Sequence, residues 1–157
     1  MLVNWGCSEY VCLGGLFHSV YGTKTFDSVA LAPVYRQRLR ALIGKSTELL
    51  VYIFCMSDRK ALLMRNQSAP YFWTNYLTNE RTELTRKVLG DLVDIETANY
   101  MEQLSFGSIR SNAVHRDMCT RFECAELLMS ANARQTVQKA VDINVQFFST
   151  SKKVDEC

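Results

Sequence analysis

The chain has 157 residues, a length that suits one compact domain with its own hydrophobic core. Its residues are 48% hydrophobic and 22% charged, which excludes a disordered or fibrous protein. The net charge of +2 gives no electrostatic footprint for nucleic acid or a membrane surface. The six cysteines form no C-x-x-C pair, which argues against a zinc ribbon or a redox motif. The opening residues do not resemble a signal peptide. The longest apolar run, Leu49 to Met56, is too short to span a bilayer. We therefore expect a reduced, cytoplasmic domain that binds neither nucleic acid nor membrane.

The first predicted element is a helix from Glu9 to about Tyr21, with Ser8 as its N-cap. It is apolar nearly all round, which places it at the centre of the core. Gly14 and Gly15 lower its helix propensity and suggest that another group comes close to the backbone there.

Two helices follow a polar loop. Pro33 suits the first turn of the second helix, which is expected to end near Gly44. The third helix is predicted to have Ser46 or Thr47 as its N-cap and to continue as a buried run up to Met56.

The middle of the chain is predicted to hold a short helix and then an aromatic-rich loop over residues 59–79. A long helix is predicted from Glu80 to Leu104, with Thr78 or Asn79 as its cap.

Two further helices, Ala113–Met129 and Ala131–Phe148, and a polar tail over residues 149–157 complete the chain. The predicted fold class is all-α, with about six helices in a single domain over residues 1–148.

An apolar stripe along the predicted long helix becomes polar toward its C-terminal end. Buried polar groups there must find partners or cost about 1–3 kcal/mol each. The sequence leaves two interpretations open. In the first, the polar side chains form a satisfied hydrogen-bond network or reach solvent. In the second, they form the polar end of a pocket. The apolar positions are Leu84, Val88, Leu92 and Ile95, and the polar ones are Asn99, Glu102 and Gln103.

His18 lies on an apolar face of the predicted first helix, so that either a hydrogen-bonded core role or a ligand role is open to it. His115 has a polar context and is predicted to lie at the surface. The basic cluster of Arg36, Arg38 and Arg40 is predicted to be a solvated helix face.

Three stretches together resemble a known superfamily: VCLGGLFHSVYGT, LRALIGKSTELLVYIF and DLVDIETANYMEQL. Their order is similar to that of the HD-domain superfamily, and closest to guanosine-tetraphosphate hydrolases, from Val11 to Leu104. The F-H-S-x-Y-G-T segment also resembles an uncharacterised family of small bacterial-type domains. The resemblance implies an HD-like helical bundle that lacks its first helix, which would lie upstream of Trp5.

The HD superfamily binds one or two divalent metals through a first His, a His-Asp pair and a late Asp. By this resemblance His18 takes the place of the paired His, Ser19 that of its Asp, and Asn99 that of the late Asp. The Glu-Asp pair that serves phosphate hydrolysis falls on Gly22 and Thr23. Hard cations prefer carboxylates, so the resemblance implies a degenerate metal site in which His18 is the remaining ligand.

The first functional hypothesis is a non-catalytic, cofactor-free domain whose pocket holds a small polar or phosphorylated ligand. The pocket would consist of His18, Ser19, Tyr21, Asn99, Glu102 and Gln103.

The second hypothesis is a metal-dependent phosphohydrolase or oxygenase of the HD type, loaded with Mn, Fe or Zn. His18 would act as ligand or base, Glu102 as the compensating carboxylate and Tyr21 as proton donor.

The third hypothesis is a helical interaction domain that uses the aromatic stretch APYFWTNY as an anchor. Self-association through exposed apolar faces is the related expectation, since a bundle without its first helix leaves such faces uncovered.

Overall fold

The structure is a computed structural model, and it describes residues 1–66, 68–106 and 112–140. Within these ranges the chain is mainly helical, as predicted, but it is not purely all-α because one antiparallel hairpin is present. Short 3-10 turns precede α2 at Pro33–Tyr35 and follow α6 at Glu126–Leu128. In chain order the elements are α1 (Glu9–Leu16), α2 (Arg36–Ile43), α3 (Lys45–Met56), α4 (Arg59–Arg65), β1 (Tyr71–Thr74), β2 (Arg81–Leu84), α5 (Arg86–Ser105), α6 (Asn112–Ala125) and α7 (131–140).

The first helix begins at Glu9 as predicted but ends at Leu16. Residues 17–21 form tight turns instead, in which the Gly22 N–H donates to the Ser19 carbonyl at 2.8 Å. His18 therefore lies in the turns that follow α1 and not inside a helix.

The second and third helices are joined at a single glycine. Pro33 starts the turn that leads into α2, as predicted, and Gly44 closes α2. Gly44 has a φ of +84°, which favours glycine. It also occupies the N-cap position of α3, so the predicted caps Ser46 and Thr47 lie within the first turn of that helix.

The hairpin replaces the predicted aromatic loop. Tyr71 pairs with Leu84, and Thr74 with Arg81, in antiparallel register. Aromatic and β-branched residues favour such a strand, and strand alternation turns Trp73 toward the core, where it is 7% exposed. Trp73 is thus a core residue rather than an exposed anchor.

The long helix α5 begins at Arg86 and not at Glu80. The Val88 N–H donates to the Thr85 side chain at 3.3 Å, which makes Thr85 the N-cap. Thr78 and Asn79, the predicted caps, lie in the hairpin connection.

The helix α3 is central to the core and packs against α1, α2 and α5. Its almost fully buried side chains are Leu50, Val51, Ile53, Phe54, Cys55 and Met56.

The carboxylate of Glu48, on α3, is completely buried. Arg36 Nε and Nη2 donate to its two oxygens at 2.6 and 3.0 Å, and Arg40 Nη2 donates at 3.1 Å. The Tyr21 hydroxyl donates to it at 3.0 Å, and the Arg36 guanidinium stacks 3.4 Å over the Tyr52 ring. The prediction of a solvated arginine face is therefore wrong for Arg36 and Arg40, because the guanidinium groups of both residues donate hydrogen bonds to this buried carboxylate.

The pKa of Glu48 reflects two opposed effects. Burial alone would raise the pKa of this carboxyl, but the hydrogen bonds from Arg36, Arg40 and Tyr21 outweigh it and hold the pKa below its usual value. Glu48 is therefore ionised at neutral pH.

The helix α7 closes the N-terminal segment onto the rest of the domain. Trp5 Nε1 donates to Thr136 Oγ1 at 3.0 Å, and Asn132 Nδ2 donates to the Trp5 carbonyl at 3.1 Å. The buried Asp94 of α5 accepts the Ser130 N–H at 3.0 Å, just before α7 begins. The predicted continuation of this helix to residue 148 and the tail 149–157 lie outside the described residues.

None of the helices in the described part of the chain combines the length and the apolar character needed to cross a membrane. The five cysteines that lie in the described ranges are free thiols.

Replacement of Glu48 by Gln is expected to lower the free energy of unfolding by about 3 kcal/mol, because the hydrogen-bonded network around the buried carboxylate is broken and two half-buried guanidinium groups lose their counter-charge. Urea unfolding at pH 7 measures this loss, and Glu83→Gln on the exposed strand face is the matched control. The folded-state pKa of Glu48 is lowered, so its stabilisation is complete above the ordinary carboxyl pKa and disappears as the pH falls through the folded value. The difference in the free energy of unfolding between wild type and Glu48→Gln should therefore become smaller in acid. A difference that is small at pH 7, or that does not change with pH, would contradict this account.

Candidate functional site

A cleft of about 520 Å³ lies between α1, α5 and the N-terminal residues, at the position that the sequence analysis favoured. It has largely apolar walls with a small number of polar groups, the usual composition of small-molecule sites. Its apolar residues include Leu2, Val3, Leu16, Ile95 and Phe106, and its polar ones include His18, Asn99 and Glu102.

His18 is held in place from several sides. Its Nδ1 lies 2.6 Å from the Gly15 carbonyl oxygen, so the ring satisfies one of the carbonyls left open at the end of α1. The ring meets Phe54 edge-on, with the centroids 5.5 Å apart. The Cys55 thiol donates to the His18 carbonyl at 3.1 Å, and burial raises the pKa of that thiol to about 11. The imidazole is therefore fixed by the chain around it.

The hydrogen bond to Gly15 also decides which ring nitrogen of His18 is available. A carbonyl oxygen only accepts hydrogen bonds, so Nδ1 must carry the proton. In the neutral ring Nε2 is then an acceptor, and it makes no hydrogen bond to any residue that the structure describes. The same arrangement, in which Nδ1–H is held by a carbonyl, orients histidines that act as ligands or bases.

Asn99 and Glu102 reach the cleft from one face of α5. Asn99 is half-buried, and its Oδ1 accepts a hydrogen bond from Gln103 Nε2 at 3.0 Å. Glu102 and Gln103 are exposed, so the polar end of the predicted stripe reaches solvent. Exposure of these side chains agrees with the interpretation that the stripe reaches solvent. Asn99 and Glu102 also line the cleft, which agrees with the interpretation that they form the polar end of a pocket.

Three of the six predicted pocket residues do not line the cleft. Tyr21 is buried and turned to Glu48, and burial together with that hydrogen bond raises the pKa of its hydroxyl well above the ordinary value. Ser19 belongs to the turn after α1, and Gln103 contacts the site only through Asn99.

Within residues 1–66, 68–106 and 112–140, no group of three or more His, Cys, Asp or Glu side chains is arranged to hold a metal ion. The predicted binding of Mn, Fe or Zn through His18 and the predicted catalytic roles of His18 and Glu102 therefore stay predictions.

His115 is more enclosed than predicted. Its ring stacks on Tyr100, whose hydroxyl is hydrogen-bonded to Nδ1, and Cys119 Sγ lies 3.6 Å from Nε2. Burial raises the pKa of Tyr100 to about 12 and also raises that of the Cys119 thiol, which keeps the thiol protonated and unreactive. This cluster joins α5 to α6.

Residues 1–59 match the family model described as a domain of unknown function, DUF6817. The matched range is less than half of the chain and contains α1, α2, α3 and His18. No curated protein and no solved structure matches the chain.

Sequence reasoning missed the buried ionic groups of the domain. The available signal was that Glu48 directly precedes the apolar run Leu49–Met56 and that Arg36 and Arg40 are spaced one helical turn apart. A second ion pair, with 3.0 Å between Arg59 Nε and Glu96 Oε2, joins α4 to α5.

The neutral imidazole of His18 is expected to be the Nδ1–H tautomer in solution. A long-range ¹H–¹⁵N correlation spectrum at alkaline pH distinguishes the two tautomers by their nitrogen shifts, and His115→Gln makes the assignment unambiguous. A predominant Nε2–H form of His18 would show that the hydrogen bond to Gly15 is absent.

Proposed function

We propose that this chain is a non-catalytic binding domain that holds a small amphipathic molecule in the cleft beside His18. The observation that carries the proposal is the fixed His18 ring, whose Nδ1 is bound to the Gly15 carbonyl while its Nε2 has no partner among the described residues that line the cleft. A rigid acceptor at an apolar cleft is a feature that orients a ligand.

The polar groups of the cleft favour a ligand that donates hydrogen bonds. His18 Nε2 and the Glu102 carboxylate are acceptors, whereas Asn99 Oδ1 already accepts a hydrogen bond from Gln103. Glu102 carries the only formal charge among the described side chains that line the cleft, and it is negative. A primary amine has three donors and a positive charge, so it suits this set better than the phosphorylated ligand that the sequence suggested.

The apolar part of the ligand would cover exposed side chains at the rim. Val3, Leu16 and Phe106 are 74%, 75% and 78% exposed and line the same cleft. Covering this apolar surface would favour binding by about 25 cal/mol per Å² removed from water. The same exposed side chains would also be available for the predicted self-association.

The relation to the HD superfamily remains part of the proposal. The order of the three sequence stretches and the shared position of His18 and Asn99 at the cleft support a degenerate metal site as its origin, whereas Ser19, the third matched position, does not line it. In this proposal the ligand occupies the space that a metal and its substrate hold in that superfamily.

Titration with hexylamine, monitored by ¹H–¹⁵N spectra, tests the proposal. Shifts are expected at cleft residues, and Glu102→Gln should weaken binding by about threefold, as expected for an exposed charge pair. Glu123→Gln, an equally exposed change on α6, should leave binding unchanged.

1-Hexanol, which lacks the charge, should respond less to Glu102→Gln than hexylamine does. Absence of shifts at the cleft, or equal affinity of wild type and Glu102→Gln for hexylamine, would contradict the proposal.

A further inference from the structure

A second groove, of about 850 Å³, lies between α4 and the hairpin. Leu62 and Trp73, each 7% exposed, contribute its apolar part. It shares no lining residue with the cleft beside His18. Its size is within the range of sites for small molecules.

The charges of this groove are predominantly positive. Lys24, Arg65 and Arg81 line it together with one carboxylate, that of Asp58. Asp58 is already engaged, since Lys24 Nζ lies 2.5 Å from its Oδ2 and the Ala61 N–H donates to its Oδ1 at 3.1 Å. The contact with Lys24 holds the pKa of Asp58 below its usual value, so the carboxylate stays ionised and neutralises the lysine. The two arginines then remain as uncompensated positive charges in the groove.

The guanidinium of Arg81 is positioned before any ligand arrives. Its Cζ lies 3.9 Å from the centroid of the Phe72 ring, which orients the planar group by cation–π stacking. Stacking leaves the N–H edges free to donate. Arg65, in the last turn of α4, is exposed and has no partner in the part of the chain that the structure describes.

A buried amide fixes the two walls of the groove to each other. Asn66 Nδ2 donates to the carbonyls of Leu62 and Phe72, each at 2.8 Å, and its Oδ1 accepts the Phe72 N–H at 2.7 Å. Asn66 is 4% exposed and follows Arg65 directly. The end of α4 and the start of β1 therefore keep a constant spacing, and so do the backbones that carry Arg65 and Arg81.

We propose that this groove binds a small soluble diphosphate ester, such as a nucleoside diphosphate, through Arg65 and Arg81. Planar guanidinium groups match phosphate oxygens in a bidentate geometry, and two of them suit two phosphoryl groups. The remaining volume of the groove accommodates the organic part of the ester. Phosphate groups of a lipid or of RNA carry the same chemistry, so the experiment separates these sources.

The test is calorimetric titration of the full chain with ADP, with adenosine as the phosphate-free control. Wild type should bind ADP and not adenosine, and Arg65→Glu and Arg81→Glu should each weaken binding by about tenfold or more, as expected for the loss of a charge-assisted bidentate contact. Arg134→Glu, an equally exposed change on α7, should leave ADP affinity unchanged. Arg65→Gln and Arg81→Gln repeat the test without reversing charge, and thermal melts identify any variant that fails to fold.

The proposal is overturned if wild type does not bind ADP at millimolar concentration, or if the variants at Arg65 and Arg81 bind as wild type does. Tighter binding to phosphoinositide-containing vesicles or to a single-stranded RNA than to ADP would also overturn the assignment to a soluble ester. Glu102→Gln should not alter ADP binding, so this inference and the function proposed for the His18 cleft can fail separately.

Discussion

The buried carboxylate of Glu48 is the constraint on which the arrangement of the N-terminal half depends. A charge that is removed from water must be compensated, and here the compensation comes from Arg36 and Arg40 on α2 and from Tyr21 after α1. Two segments, α2 and the turn after α1, are thereby held at one point on the central helix α3. Arg36 also stacks on Tyr52, whose hydroxyl accepts a hydrogen bond from Asn75 Nδ2, so the same network extends to the hairpin.

The position of His18 follows from this arrangement. Tyr21 is anchored to Glu48, and α1 ends at Leu16, so the residues between them must form a compact turn. In that turn the His18 ring bonds back to Gly15 and packs on Phe54 of α3. One imidazole therefore closes a helix end with one nitrogen, while its other nitrogen makes no hydrogen bond to any described residue. A structural role and a binding role are compatible for this residue because they use different atoms.

The sequence predicted most of the helices because their apolar periodicity and their Pro and Gly signals are local. It did not predict the hairpin, because the apolar pattern of Arg81–Leu84 continues the helical stripe of α5. This segment forms a strand only because it pairs with Tyr71–Thr74, and that pairing is a tertiary interaction. His18, Asn99 and Glu102 do line one cleft, although the helical wheel placed His18 inside a helix that ends before it.

The ion pairs of Glu48 were not predicted from the sequence for a different reason. A charged residue at the start of an apolar run is compatible with an exposed helix end as well as with a paired interior position, and one sequence does not distinguish the two. Glu48 and Arg36 became recognisable as partners only when α2 and α3 were seen folded against each other.

The central claim is that His18 serves the cleft through a hydrogen-bond acceptor and not through a bound metal. Elemental analysis of the purified full chain by mass spectrometry tests this claim most directly. The account predicts that Mn, Fe and Zn are each far below one equivalent per chain, in wild type and in His18→Ala alike. A stoichiometric metal in wild type that is lost in His18→Ala would contradict it.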